Sequence, residues 1–501
     1  MRILIADDEL AKSQTLRSLF ATGGKGKNKQ PATKGTPEIG RVVVARSAPK
    51  QRGKAVKGRA GAAQPQNVCI DLGDQPEQAA ALFDALGIAL LNRGDPEGAV
   101  LIELGLKIRR KFYGNDHPAT ALSLNSFSRV QRERSDYQGA MATANDALRI
   151  NRRVFGERGY PVVASLLELA LAQLLQGMFR EAIDSAETGL AILKELSLYE
   201  TDPNSTRLMD VIGRAQRALS DLDTAAATYK TLLDLDKTQL GTRNHPKYAI
   251  HLANFGLVLE AQKKRKAAEK TYRNAIDLYL NALNRDRHPN LIDAYANLGS
   301  LLRPVDSKES GRYLEKALEL GKQVRGEAHI LTGNDHANFA RWQYDTNARA
   351  DAGKSFQKAF DIYSKNVLNR ALPADHFFIA EVLTWQGRLA VESGTAAAGK
   401  DAEPILRRAL EIWPVQLGFG TIGEALAKGF LGRALGLQGN NPTEACALLC
   451  ESYRELQANP PTNPALIKQI AQWIKDQGCD CGAMPKAARP KQGLNSRGVG
   501  H

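Results

Sequence analysis

Apolar and small residues recur along this chain in paired helical stripes. In one unit Leu252, Phe255, Gly256 and Leu259 fall at i, i+3, i+4 and i+7, one face of a helix. After a polar turn at Lys263-Lys264, the residues Ala268, Tyr272, Ala275, Ile276 and Tyr279 mark the face of a second helix. Small side chains (Gly256, Ala268, Ala275) sit where the two helices must approach closely. The pair then repeats. His117-Pro118, His245-Pro246 and His288-Pro289 punctuate it, with Tyr160-Pro161 and Asp202-Pro203 at the matching places, and successive prolines stand 43, 42, 43 and 43 residues apart. A fixed period of this size predicts stacked helical hairpins. Each proline suits the first turn of a helix, where a missing N–H costs nothing. The neighbouring Asn244, or Asp116, is expected to supply start-of-helix hydrogen bonds.

The pattern predicts nine hairpins, at about 77–112, 118–155, 161–199, 203–240, 246–283, 289–325, 330–368, 376–416 and 421–457. Pro304 is expected to shorten the first helix of the sixth, and Gly394 to Lys400 reads as an insertion at the turn of the eighth. Residues 464–477 read as a capping helix that covers the last apolar face. The fold class expected is all-α, a right-handed superhelical solenoid over 77–457. Such an array presents a long concave surface rather than one deep pocket.

Charge divides the chain. Residues 24–61 carry eleven Lys/Arg and one acid, Glu38, so this segment alone holds +10 of the net +14. Residues 1–23 balance at zero, and the repeats are close to neutral. The composition of residues 21–66 buries too little apolar surface to offset chain entropy and predicts a disordered basic linker; the tail 478–501 reads the same way. Clustered Lys/Arg invites nucleic acid. Yet no aromatic residue lies between 21 and 66, so only weak, non-specific binding is expected of 24–61. No stretch reaches the roughly 20 apolar residues that cross a bilayer, and the start lacks the apolar run of a secretory signal, so the expected location is cytoplasmic. Five cysteines in 501 residues do not suggest a disulfide framework.

The repeats resemble tetratricopeptide repeats, in the longer version found in kinesin light chains and many bacterial signalling proteins. The residues that carry this are Leu252-Ala253-Asn254-Phe255-Gly256 with Ala268-Glu269, Tyr295-Ala296-Asn297-Leu298-Gly299 with Glu315-Lys316-Ala317-Leu318, and His336-Ala337-Asn338-Phe339-Ala340 with Gln357-Lys358-Ala359-Phe360. The resemblance covers about three quarters of the chain. It implies that an asparagine of each first helix points into the concave groove and hydrogen-bonds the backbone of a bound peptide. Asn254, Asn297 and Asn338 match that position. Ser126 lies near it, shifted by one residue, and Glu168 takes it in the third repeat. Lys247, Tyr248 and Asn290 would line the groove rim.

Residues 1–20 resemble the opening of a response-regulator receiver domain: a strand at Ile3-Leu4-Ile5, the acids Asp7 and Asp8, then a helix from about Leu10 to Phe20. In that family the acids help to hold Mg²⁺. No second strand, acceptor Asp or later Lys follows, so the fragment is incomplete.

Cys479-Asp480-Cys481 could form a metal pair with Cys446 and Cys450, but the latter two flank Leu448-Leu449 and read as small core residues. No nucleophile elbow, phosphate-cradling loop or zinc-hydrolase helix is present. The reading is a non-enzymatic scaffold without cofactor that binds a protein or peptide. Alternatives are a signalling regulator with a remnant receiver element and a nucleic-acid adaptor acting through the linker.

Overall fold

The computed structural model describes residues 2–6, 67–71, 76–91, 97–282, 286–368, 372, 374–417, 422–458 and 465–482. The acids Asp7 and Asp8, the helix expected from Leu10 to Phe20, the whole of the basic linker and the end of the tail lie outside them. Two strands, β1 (Arg2–Ala6) and β2 (Asn67–Asp71), precede the helices, and the region expected to be all-α is helical. The strand read at Ile3-Leu4-Ile5 is β1. It pairs antiparallel with β2, from Arg2 opposite Asp71 to Ala6 opposite Asn67, whereas a doubly wound receiver sheet is built mostly of parallel strands.

Nineteen helices follow among the described residues. The first hairpins are α1 (Pro76–Leu91) with α2 (Glu97–Tyr113), α3 (Pro118–Glu133) with α4 (Tyr137–Phe155), and α5 (Tyr160–Leu175) with α6 (Phe179–Glu195). Next come α7 (Pro203–Ala218) with α8 (Leu222–Leu240), and α9 (Pro246–Ala261) with α10 (Arg265–Asp277), which ends in a π turn, Leu278–Ala282. Then come α11 (Pro289–Leu302) paired with α12 (Ser307–Val324), α13 (Ile330–Asp345), α14 (Arg349–Leu368), α15 (Phe377–Val391) paired with α16 (Ala396–Leu417), and α17 (Ile422–Gln438) paired with α18 (Pro442–Ala458). A last helix, α19 (Ala465–Asp476), packs on α18.

The chain forms two compact units. One comprises residues 1–346 and 364–373, the other residues 347–363 and 374–501. In the first unit, successive first helices touch one another as well as their own partners, from α1 and α3 through to α11 and α13. The face that these first helices share is the inner face.

The hairpins close where the sequence places small residues. A Cβ on Gly256 would lie 2.5 Å from the Tyr272 ring, one on Gly213 2.7 Å from the Tyr229 ring, and one on Gly299 2.7 Å from Leu314. Tyr229, Tyr272 and Tyr279 are almost wholly buried. The turns carry a left-handed residue, such as Gly177 at φ 83° and Lys263 at φ 60°. Pro304 follows α11, which ends at Leu302. In the eighth hairpin Ala396 to Lys400 are helical and open α16 rather than widening the turn.

Helix starts differ from expectation. The histidine before the proline is itself the cap: Nδ1 of His117, His245 and His288 accepts the backbone N–H two residues on, at 3.1, 3.1 and 3.2 Å. His329 and His376 cap α13 and α15 in the same way, without a proline. Asp116 instead pairs with Arg149 on α4.

Candidate partner-binding face

The inner face of the first unit is built from α3, α5, α7, α9, α11 and α13. Asn254, Asn297 and Asn338 each stand at the ninth residue of their helix and are half-buried. Ser126 holds the same register in α3, with no shift. The three asparagines have different surroundings. Asn254 Nδ2 donates to Asp210 Oδ1 of α7 at 2.9 Å, bridging neighbouring repeats. Asn338 Oδ1 accepts from Arg341 of its own helix at 2.8 Å. Asn297 makes no side-chain hydrogen bond among the described residues, so its amide is open to a ligand.

The rim residues divide similarly. Lys247 Nζ donates to the Pro203 carbonyl at 3.3 Å and lies 3.9 Å from Asp236 Oδ1; burial holds its pKa below the ordinary lysine value, against the pull of Asp236. Tyr248 is half-buried. Asn290 uses its backbone N–H in the His288 cap.

Arginines dominate the inner face of α3 and α7. Arg132 Nη2 donates to Glu168 Oε2 at 2.6 Å, and Arg207 reaches the other oxygen of the same carboxylate at 3.5 Å. Arg129 lies 3.9 Å from Glu133 and is close enough to Arg207 to repel its charge. Crowding by the protein lowers the Arg207 pKa; Glu168 opposes this, and Arg129 and Arg132 reinforce it. Yet the Arg207 side chain is 44% exposed, so it sits in a concavity rather than inside the core. Arg214 stands 3.8 Å from Asp210, whose Oδ1 already accepts from Tyr229 Oη at 2.8 Å as well as from Asn254. Glu168 and Asp210 are therefore largely committed to the scaffold, while the guanidinium groups of Arg207 and Arg214 reach the open face.

The sequence reading passed over these arginines. The signal was available: Arg207, Arg214 and Arg217 fall at i, i+7 and i+10, one stripe of α7, and Arg129 and Arg132 at i and i+3 of α3.

Buried polar pairs also recur where a second helix meets the next first helix. Arg109 on α2 donates to Ser123 on α3 at 2.6 Å, and Asn151 on α4 to Ser165 on α5 at 3.0 Å. His251 Nδ1 on α9 lies 2.6 Å from Asp236 Oδ2 on α8. Arg109 also pairs with Asp84 and Glu77. These pairs are internal and fix the stacking of neighbouring repeats. Among the described residues no group of three or more His, Cys, Asp or Glu is arranged to hold a metal ion, and no helix is long and apolar enough to cross a membrane.

Sequence reasoning also missed two disulfides. Cys446 and Cys450, read as core residues, bond to Cys479 and Cys481, with Cα–Cα distances of 5.3 and 5.4 Å. Helical spacing puts the first two thiols on one face of α18, and the turn after α19 returns the other two to meet them.

Residues 77–153, which span α1 to α4, match the tetratricopeptide repeat family. Among solved structures, the nearly identical TPR-like repeats of a Podosopora anserina protein described as a kinesin light chain are 18% identical, covering 42% of this chain and 99% of that one at a TM-score of 0.35. BtubC (BKLC) from P. vanneervenii is 19% identical, covering 48% and 92% at 0.37. A signal transduction ATPase with numerous domains and a tetratricopeptide repeat sensor, from Pyrococcus horikoshii, is 12% identical, covering 82% and 58% at 0.46. No curated protein matches the chain.

Proposed function

We propose that this chain is a protein-interaction scaffold whose inner face, along α3, α5 and α7, receives an acidic segment of a partner protein. Tetratricopeptide repeats generally mediate protein–protein contact, and residues 77–153 match that family. The observation that carries the finer reading is the gathering of Arg132 and Arg207 about the single carboxylate of Glu168, with Arg129 close enough to add its charge to theirs. A carboxylate entering the concavity would relieve guanidinium repulsion, and a forked guanidinium can bind it with two parallel hydrogen bonds. Asn297, half-buried with an open amide on α11, is positioned to bind backbone farther along the same face.

An array of acidic, neutral and basic peptides probed with the full chain tests this. Retention of acidic peptides should fall with added salt, because exposed charge pairs are screened within about 10 Å at 0.1 M. It should be lost in the double variant Arg207→Glu, Arg214→Glu. Binding that ignores charge reversal, or that prefers basic peptides, would move the partner site off this face.

A further inference from the structure

We infer that α19 is a cap on the second unit held shut by a thiol-operated clasp, the paired bridges Cys446–Cys479 and Cys450–Cys481.

The seat comes first. Leu466, Ile470 and Trp473, at i, i+4 and i+7 of α19, are its buried residues. Two glycines one heptad apart on α17 make room for them. A Cβ on Gly429 would lie 2.8 Å from Ile470 Cδ1, and one on Gly436 would collide with the side chain of Gln477. Trp473 packs edge-on to Phe430 at 6.0 Å and lies under the Arg433 guanidinium. The seat is shaped for this helix, but it is small. A helix of 12 residues is marginal on its own, and before the bridges are counted it is tied down by these three buried side chains, with Ile467 and Ile474 packed partly buried beside them.

The latch follows from local geometry. Gly478 adopts φ 65°, the left-handed C-terminal turn that glycine permits, and the Cys479 N–H returns to the Ile474 carbonyl at 3.0 Å. This reversal directs Cys479 and Cys481 back along α18, where Arg454 holds the Cys481 carbonyl at 2.9 Å. Cys450 is wholly buried, whereas Cys446, Cys479 and Cys481 are half-buried. A reagent can thus reach either bridge from its outer sulfur.

The two loops, of sequence separations 33 and 31, interleave, overlap over almost their whole length and are nearly equal. The second bridge therefore adds little chain-entropy restraint to the first. What it adds is chemistry: opening one bridge sets a free thiol beside the other, a resolving arrangement. In each opening, one thiolate of a dithiol attacks the accessible sulfur, giving a mixed disulfide and releasing the paired cysteine. The second thiolate of the dithiol then displaces the attacked cysteine. Two electrons pass from the dithiol, which leaves as its own disulfide, and both cysteines end as thiols. Disulfides persist in oxidising compartments and are transient in reducing ones, so the surroundings would set whether the cap is shut. Opened, it would uncover Phe430 and the apolar stripe of α19.

The test uses the full chain, purified without reductant, with dithiothreitol as the probe. Alkylation followed by mass spectrometry should find residues 446, 450, 479 and 481 blocked until dithiothreitol is added. Amide exchange over 465–482 should then speed at least tenfold, with α3 to α12 unchanged. The double variant Cys479→Ser, Cys481→Ser should keep the same helical circular dichroism and exchange fast over α19 with or without dithiol. Four free thiols in the untreated chain would overturn the clasp. So would slow α19 exchange after full reduction, whether the helix is held by its seat alone or by zinc retained on the four thiolates, and so would a double variant whose α19 stays slow.

Discussion

Asn254 Nδ2 and Asp210 Oδ1 lie 2.9 Å apart across neighbouring repeats, on the same carboxylate oxygen that accepts from the buried Tyr229 hydroxyl. An asparagine read as a groove residue is thus also a strut of the wall it lines. Removing it weakens the repeat stack before it weakens a ligand.

Asn254→Ala should therefore destabilise the chain by about 1 kcal/mol, the usual net worth of one such bond. Asn254→Asp should cost more, because a second carboxylate would face Asp210. Denaturant midpoints for both variants check this. Asn297→Ala, which loses no internal hydrogen bond, should leave the midpoint unchanged. Equal losses at both positions would show that the strut does no work.

Gly256→Ala should destabilise by roughly 1–3 kcal/mol, the ordinary cost of overpacking a close contact. The added methyl would lie 2.5 Å from the ring of Tyr272, which is fully buried and has nowhere to move. Thermal melting followed at 222 nm measures the loss. A neutral result would mean that the two helices of this hairpin separate freely.

His376 caps α15 through Nδ1, and burial pushes its pKa from 6.5 down to about 4 despite Asp375 nearby. A depressed base stabilises the folded state fully above pH 6.5, and that contribution is lost as the pH falls through about 4. His376→Asn keeps a capping acceptor without a titrating ring. The second unit of this variant should lose less stability than wild type between pH 6.5 and 4. Parallel pH curves would exclude His376 as the titrating cap.

Asp335 behaves oppositely. Burial raises its carboxyl to about 7; Asp293 contributes to the rise, Arg325 opposes it, and His329 lies at the start of the same helix. A raised acid stabilises the fold below its ordinary pKa, and that stability is lost as the pH rises through about 7. Asp335→Asn should accordingly gain stability over wild type on going from pH 5 to pH 8. Arg325 keeps Asp293 as a partner at 2.6 Å in that variant. A gap that stays constant with pH would refute this.

Much of the fold is legible in the chain because a hairpin repeat is local. Stripes such as Leu252–Leu259 and Ala268–Tyr279, broken by Lys263, specify two helices and a turn without reference to anything distant. The match of Gly256 to Tyr272 is legible for the same reason, since both lie within one repeat. The inner face is less so. Position nine of a first helix can be read from the period, but whether its side chain is open or bound depends on the neighbouring repeat: Asp210 binds Asn254, and among the described residues nothing of that kind meets Asn297.

What the sequence by itself determined was the succession of helices, their small-residue contacts and the prolines that open them, all set by spacings within one period. Tertiary structure alone decided the rest. It brought Arg132 and Arg207, 75 residues apart, onto one carboxylate. It turned the punctuating histidines into caps, and it returned Cys479 and Cys481 to α18. These relations depend on how chain segments stack in space, and a carboxylate or a thiol carries no local pattern that names its distant partner.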